Sequence, residues 1–201
     1  MEGYIPKEKR KKILILCDEI RVSSGIATMA RELILGTAHR FNWFNLGGSA
    51  VRHKDTDKII DLSGDINNQT GLKDSYVKIY SCYGYGNHDL LTGLINMEKP
   101  DAIFIFTDPR YWIWLFEMEN EIRNKIPIIY LNIWDDLPAP MYNRSYYDSC
   151  DALLCISKQT KNIVEMVLGD KKQGKIIEYV PHGINSNVFF PIKITRFIIC
   201  C

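Results

Sequence analysis

Ile13-Leu14-Ile15-Leu16-Cys17 runs into the polar loop Asp18 to Gly25, and Ile26, Met29, Ala30, Leu33 and Ile34 follow. Five consecutive apolar residues describe a strand with no solvated face, the condition of an inner strand in a parallel sheet. The apolar spacing after Gly25 is that of one face of an α-helix. Strand, loop and helix of these lengths make one β-α unit, and the rest of the chain repeats it.

Phe41 to Leu46 and Lys58 to Leu62 are predicted strands, with a break at Gly47-Gly48 between them, and Asn67 to Asp74 is a polar loop. Strand Val77 to Cys82 leads through Tyr83-Gly84-Tyr85-Gly86 to a helix around Leu90 to Met97. Strand Asp101 to Thr107 precedes a Trp/Phe-rich helix from Tyr111 to about Arg123, and strand Ile126 to Ile133 precedes a Pro-rich loop and a helix over Tyr142 to Ser149. After strand Ala152 to Ile156, Ser157 is an N-cap for a helix carrying Ile163, Met166 and Val167, and Ile176 to Val180 is the last strand. The alternation predicts the α/β class with a doubly wound parallel sheet.

Composition narrows the function. With 25 basic and 24 acidic side chains the net charge is 25 − 24 = +1, which gives no field to steer nucleic acid or anionic lipid. Aromatics are not interleaved with a basic patch, so nucleic acid is not an expected partner. The densest basic run, Lys7 to Lys12, reads as a solvated leader or as an arm contacting phosphate or membrane. No apolar run approaches the roughly 18 residues of a membrane span. The six cysteines, Cys17, Cys82, Cys150, Cys155, Cys200 and Cys201, show no disulfide-like spacing, and the N-terminus has no apolar signal core; a cytoplasmic protein is expected. His39, His53, His88 and His182 lack metal-ligand spacing, and no G-x-S-x-G elbow occurs.

In open parallel sheets ligands sit outside the carboxyl ends of the strands. Just past those ends lie Asp18, Ser23-Ser24-Gly25, Asp108-Pro109-Arg110, Asn132 with Asp135-Asp136, Ser157-Lys158 and His182-Gly183. Ser24 and Gly25 open a helix, where free N–H groups and the helix dipole suit a phosphate or a sugar hydroxyl; a plain N-cap is the simpler reading. Arg110 pairs either with an anionic acceptor or with a neighbouring Asp. Trp112, Trp114, Leu115 and Phe116 form an aromatic cluster, read most simply as a packing face and otherwise as a surface that docks a lipid or a partner.

Tyr179-Val180-Pro181-His182-Gly183-Ile184-Asn185, closed by Val188-Phe189-Phe190-Pro191, resembles the hinge of the retaining, nucleotide-sugar-dependent glycosyltransferases of GT-B fold, the group that includes glycogen and sucrose synthases. Arg21 to Ala27 resembles the glycine-rich first loop of that family, with Ser24 before a single Gly25 where the family has paired glycines. Ser157-Lys158-Gln159-Thr160 is similar to its Ser-x-x-Thr. The resemblance covers about residues 11 to 192. It implies a Rossmann-like, single GT-B half-domain at 11–191, the acceptor side, after a basic leader at 1–10. The tail 192–201 differs from the linker the family would have, and the chain is expected to stop before the donor-binding domain, with its Glu-x7-Glu segment.

The activity so implied is hexosyl transfer from a nucleotide-diphosphate sugar, as co-substrate, to an acceptor hydroxyl, with no metal and no other cofactor. Many members carry a His, often followed by Asp, where this chain has Ile133 or Trp134 and then Asp135. On this reading Asp135 is the candidate catalytic residue, orienting an acceptor hydroxyl or acting as a weak base; its alternative is a loop carboxylate capping the next segment. Ser24, Gly25, Asp108, Arg110, Trp134, Asp136, His182 and Gly183 are the candidate donor- and acceptor-binding residues. Trp134 either stacks on a sugar or belongs to the core, and Gly183 sits in a tight turn that lets backbone approach the donor phosphate. The competing functions are a non-catalytic half-domain that binds an acceptor or a separate donor-binding chain, and an unrelated nucleotide-binding α/β domain.

Overall fold

The computed structural model describes residues 3–49, 54–186 and 188–191; the tail at 192–201 lies outside them. Eight strands form one sheet: β1 (Lys11–Asp18), β2 (Phe41–Ser49), β3 (Ile59–Asp61), β4 (Val77–Tyr83), β5 (Ala102–Ile105), β6 (Ile128–Asn132), β7 (Ala152–Cys155) and β8 (Ile176–Tyr179). Their spatial order is β3-β4-β2-β1-β5-β6-β7-β8. All pairings are parallel except that of β3, which runs antiparallel to β4 at the edge. The result is a Rossmann-like α/β fold.

The alternation within β1 shows why both faces need cover. Leu14 and Leu16 enter one core, and Ile13, Ile15 and Cys17 enter the other, all buried. Helices α1 (Gly25–Thr37) and α2 (Ser63–Thr70) cover the second face through Ala30, Ile34 and Ile66. The first face is covered by α3 (His88–Glu98), α4 (Ile113–Glu117), α5 (Glu119–Ile122), α6 (Arg144–Asp148) and α7 (Lys158–Leu168). On the α1 face, Ile129, Ile133, Leu154 and Ile156, in and just after β6 and β7, are half-buried.

Four sequence expectations are corrected. The Gly47-Gly48 pair does not break β2, because β1 and β4 hold it on both sides, with Gly47 opposite Cys17 and Ser81. Asn67 to Asp74 is not all loop: α2 runs to Thr70, anchored by Ile66 alone and closed by Gly71 at φ 76°. One buried residue leaves no periodic pattern to read. The helix expected over 111–123 is divided into a 3-10 turn at Pro109–Trp112, then α4 and α5, with Met118 at φ −94°, ψ 3° between them. On α7 Ile163 and Val167 are buried as the pattern requires, whereas Met166 faces solvent.

The basic run before β1 is not simply solvated. The Arg10 side chain is fully buried; its Nη2 donates to both Asp74 carboxylate oxygens at 2.8 Å, Nη1 to the Asp74 carbonyl and Nε to the Ile5 carbonyl. Burial alone would raise the Asp74 carboxyl, but Arg10 and the Tyr4 hydroxyl outweigh it and hold it below the usual range. Asp74→Asn keeps the shape and loses the charge, with Asp74 itself partly exposed. We expect a loss of about 1–2 kcal/mol, read as a lower urea midpoint.

Cys17, Cys82, Cys150 and Cys155 are buried free thiols. Cys17 packs in the α1 layer and the other three in the opposite layer. Burial pushes the Cys82 thiol up to about 11 and the Cys155 thiol up to about 12.

Candidate functional site

Because β1, β5, β6, β7 and β8 are parallel, their following loops gather at one edge of the sheet. The chain leaves β1 for β2 on one side and returns to β5 on the other, so the topological switch lies between the loops after β1 and β5. Ligand crevices form at such points.

Ser24 ends the first loop as the N-cap of α1. Its Oγ accepts from the Ala27 N–H at 3.0 Å and donates to Asp18 Oδ2 at 2.6 Å. The Tyr85 hydroxyl donates to the other Asp18 oxygen at 3.1 Å. A Cβ placed on Gly25 would meet nothing within 4 Å, so the helix N-terminus above it is open. Ser24 therefore does the work of a cap while leaving approach to the helix end free.

Beside this loop stands a network that sequence reading missed. Glu19 is only 1% exposed; its Oε1 accepts from Arg21 Nε at 2.6 Å and its Oε2 from the Ser81 hydroxyl at 2.7 Å, and Arg21 also pairs with Asp55 at 3.1 Å. Gly47 makes the room: a Cβ there would come within 2.9 Å of the Glu19 Cα. The paired glycines were the available signal, since they mark where another segment lies against a strand end.

After β5, Asp108 accepts from the Arg110 backbone N–H at 2.9 Å and from its guanidinium. That guanidinium outweighs burial and holds the Asp108 carboxyl below the usual range. Arg110 also lies over the Tyr142 ring, 5.7 Å from its centroid. Of the two readings of Arg110, pairing with a neighbouring Asp is the one observed.

After β6, the Trp134 N–H donates to Asn132 Oδ1 at 2.9 Å and its indole N–H to the Asp136 carbonyl at 2.8 Å, while Tyr142 meets the ring edge-on. Asp136 caps the Leu137 N–H at 2.8 Å, and Gln159 of α7 donates to the Asp135 carbonyl at 2.8 Å. The Asp135 carboxylate has no hydrogen bond or ion pair among the described residues. Asp108, Trp134, Asp135 and Asp136 line one cavity of about 260 Å³, together with Tyr130. Tyr130 is 2% exposed, and its hydroxyl has no hydrogen-bond partner among the described residues. On the same face of β6, the Nδ2 of the fully buried Asn132 makes no hydrogen bond of normal geometry among the described residues. The cavity lies just below the roughly 300–1,000 Å³ usual for drug-sized ligands, a scale for one ring-sized group.

His182 and Gly183 lie elsewhere. They line a hollow of about 340 Å³ with Met29 and Leu33 of α1, Leu131 of β6 and Ile184. The His182 ring meets Phe106 edge-on at 6.1 Å, and burial lowers its pKa, leaving a neutral imidazole at pH 7. Asn185 reaches Glu32 of α1 at 3.5 Å. Residues 181–185 form no turn, and Gly183 has neither positive φ nor any neighbour within 4 Å of the point where a Cβ would stand; the tight turn expected there is absent, and the segment instead lies against α1. Among the described residues, no group of three or more His, Cys, Asp or Glu side chains is placed to hold a metal ion.

No protein-family model and no curated protein matches this chain. Its fold is similar to that of two crystal structures of Anabaena HepE, one in complex with UDP and glucose and one with UDP. The TM-scores are 0.54 and 0.53 at 12% and 11% identity. A weaker likeness, TM-score 0.46 at 10% identity, is to a UDP-forming α,α-trehalose-phosphate synthase from Burkholderia vietnamiensis. In each case 89% of this chain is covered, against 46%, 45% and 50% of the other chain, so the chain spans about half the length of these proteins. At such identities the likeness is one of fold.

Proposed function

We propose that this chain is the acceptor-side half of a retaining, nucleotide-sugar-dependent glycosyltransferase of GT-B type. The observation that carries the reading is the cavity after β5 and β6. Of its three carboxylates, Asp108 is held by Arg110 and Asp136 by the Leu137 N–H, while that of Asp135 has no partner among the described residues. A sugar acceptor would sit against Trp134 with one hydroxyl donating to Asp135. As the acceptor oxygen bonds to the donor's anomeric carbon, its proton passes to Asp135, and the anomeric carbon–oxygen bond breaks with its electron pair going to the nucleoside diphosphate. The open N-terminus of α1 at Gly25, across the switch point, suits a donor phosphate or hydroxyl.

Two further features support a half that works against another body. HepE, whose structures hold UDP and glucose, is about twice as long. Val180, Ile184, Val188, Phe189 and Phe190 are exposed apolar residues along the segment resembling the hinge, a kind of surface that a second domain would cover.

The test is UDP release from UDP-glucose with methyl glucoside as acceptor, for this chain and for the longest open reading frame that contains it. We expect transfer by the longer protein, falling roughly 10- to 100-fold in kcat on Asp135→Asn with little change in fold. No transfer by either, with nucleotide binding indifferent to the sugar, would sink the reading in favour of a nucleotide-binding domain.

A further inference from the structure

We infer that the cavity after β5 and β6 takes a neutral or amino-bearing sugar ring and rejects one carrying a phosphate or carboxylate. The inference rests on the sugar-transfer reading and goes further, to the charge class of the acceptor. Three carboxylates line the cavity. The cation beside them, Arg110, already gives Nε and Nη2 to the two oxygens of Asp108 and rests on Tyr142. An anionic group would have to displace Asp108 from that pairing, or share a small cavity with the unengaged charge of Asp135. The adjoining α7 meets this loop through Gln159, a neutral side chain.

The unsatisfied groups point the same way. A carboxylate is an acceptor only and calls for donors, which sugar hydroxyls and ammonium groups supply and phosphate oxygens do not. The Tyr130 hydroxyl, on a side chain 2% exposed, has no partner among the described residues and can donate to or accept from a neutral hydroxyl. Trp134 is fixed by its indole bond to the Asp136 carbonyl and by the edge of Tyr142. It supplies a pre-set aromatic surface for the C–H face of a ring, and that packing is indifferent to charge. Selection between classes thus falls to the carboxylates.

Binding of methyl glucoside, glucosamine and glucose 6-phosphate to the full chain would be measured by saturation-transfer NMR at low and high salt. We expect glucose 6-phosphate to bind about tenfold or more weakly than methyl glucoside, and glucosamine at least as tightly. Asp135→Asn with Asp136→Asn should narrow that gap to within about threefold, and salt should narrow it in the wild type. Trp134→Ala, confirmed folded by its thermal transition, should weaken both neutral ligands together. Glucose 6-phosphate binding as tightly as methyl glucoside, or a gap untouched by neutralising the carboxylates, overturns the charge selection alone. If none of the three sugars binds, the sugar-transfer reading fails and this inference fails with it.

Discussion

Glu98→Gln is expected to cost about 3 kcal/mol, from the displacement of its carboxyl pKa from 4.5 to about 2 at about 1.4 kcal/mol per unit. Glu98 ends α3 near the amino ends of the strands, at the edge of the sheet opposite the cavity, and is 4% exposed. Its carboxylate accepts from Lys12 Nζ at 2.9 Å, from the Tyr76 hydroxyl at 2.6 Å and from the Tyr80 hydroxyl, with Lys78 at 3.5 Å. Burial by itself would raise the group; these partners overturn that. Lys7, Lys12 and Lys78 also surround the Tyr76 ring at 5.3, 5.1 and 4.9 Å, so losing the anion leaves three ammonium groups close together. For a chain of this size the melting temperature should fall by roughly 6–12 °C at neutral pH. The sign with pH is fixed: a carboxyl depressed in the folded state stabilises above its unfolded value of 4.5 and loses that contribution as pH falls toward about 2. The gap between wild type and variant should therefore shrink between pH 5 and about 2. A gap constant with pH would show that the charge is not the source.

Gly48→Ala is the second large effect. The added Cβ would stand 2.5 Å from Tyr85 Cδ1 and 2.8 Å from the Gly84 carbonyl oxygen. Neither can yield cheaply. Gly84 and Gly86 hold positive φ, and the Tyr85 ring is stacked on Tyr111 at 4.3 Å, against the edge of Trp112, with its hydroxyl on Asp18. We expect a loss of about 3 kcal/mol, the upper part of the usual overpacking range, and a displaced Tyr85 that loosens the Asp18–Ser24 pair at the head of α1. Gly93→Ala is the control: it lies in α3 with nothing within 4 Å of its Cβ position, and should stabilise by about 0.5–1 kcal/mol. Denaturant curves separate the two, and equal effects would refute the steric account.

What could be read before the structure follows from how far each contact reaches along the chain. The inner strands announce themselves because burial on both faces writes an unbroken apolar run, as in Ile13 to Cys17, and the caps at Ser24 and Ser157 are bonded three residues on. The polar residues after β5 and β6 could be nominated from topology, and Asp108, Trp134, Asp135 and Asp136 do share a cavity. Which of them is held and which is unengaged was not legible. That Arg110 turns back onto Asp108 depends on a local 3-10 turn the Trp-rich pattern concealed. Glu19 and Ser81 are 62 residues apart, and Tyr85 and Asp18 are 67 apart; contacts of that span leave no period in the sequence. The separation of His182 from the cavity comes from 181–185 lying against α1, which the resemblance to a turn obscured.

The four interior thiols give this fold a chemical clock. A thiol reacts as its thiolate, and burial suppresses the thiolate as well as blocking the reagent, so each cysteine is silent until its layer opens. Cys17 reports on one side of the sheet and Cys82, Cys150 and Cys155 on the other. With Cys200 and Cys201 replaced by serine, pulsed alkylation followed by mass spectrometry would reveal whether the two sides come apart at a single rate or one after the other.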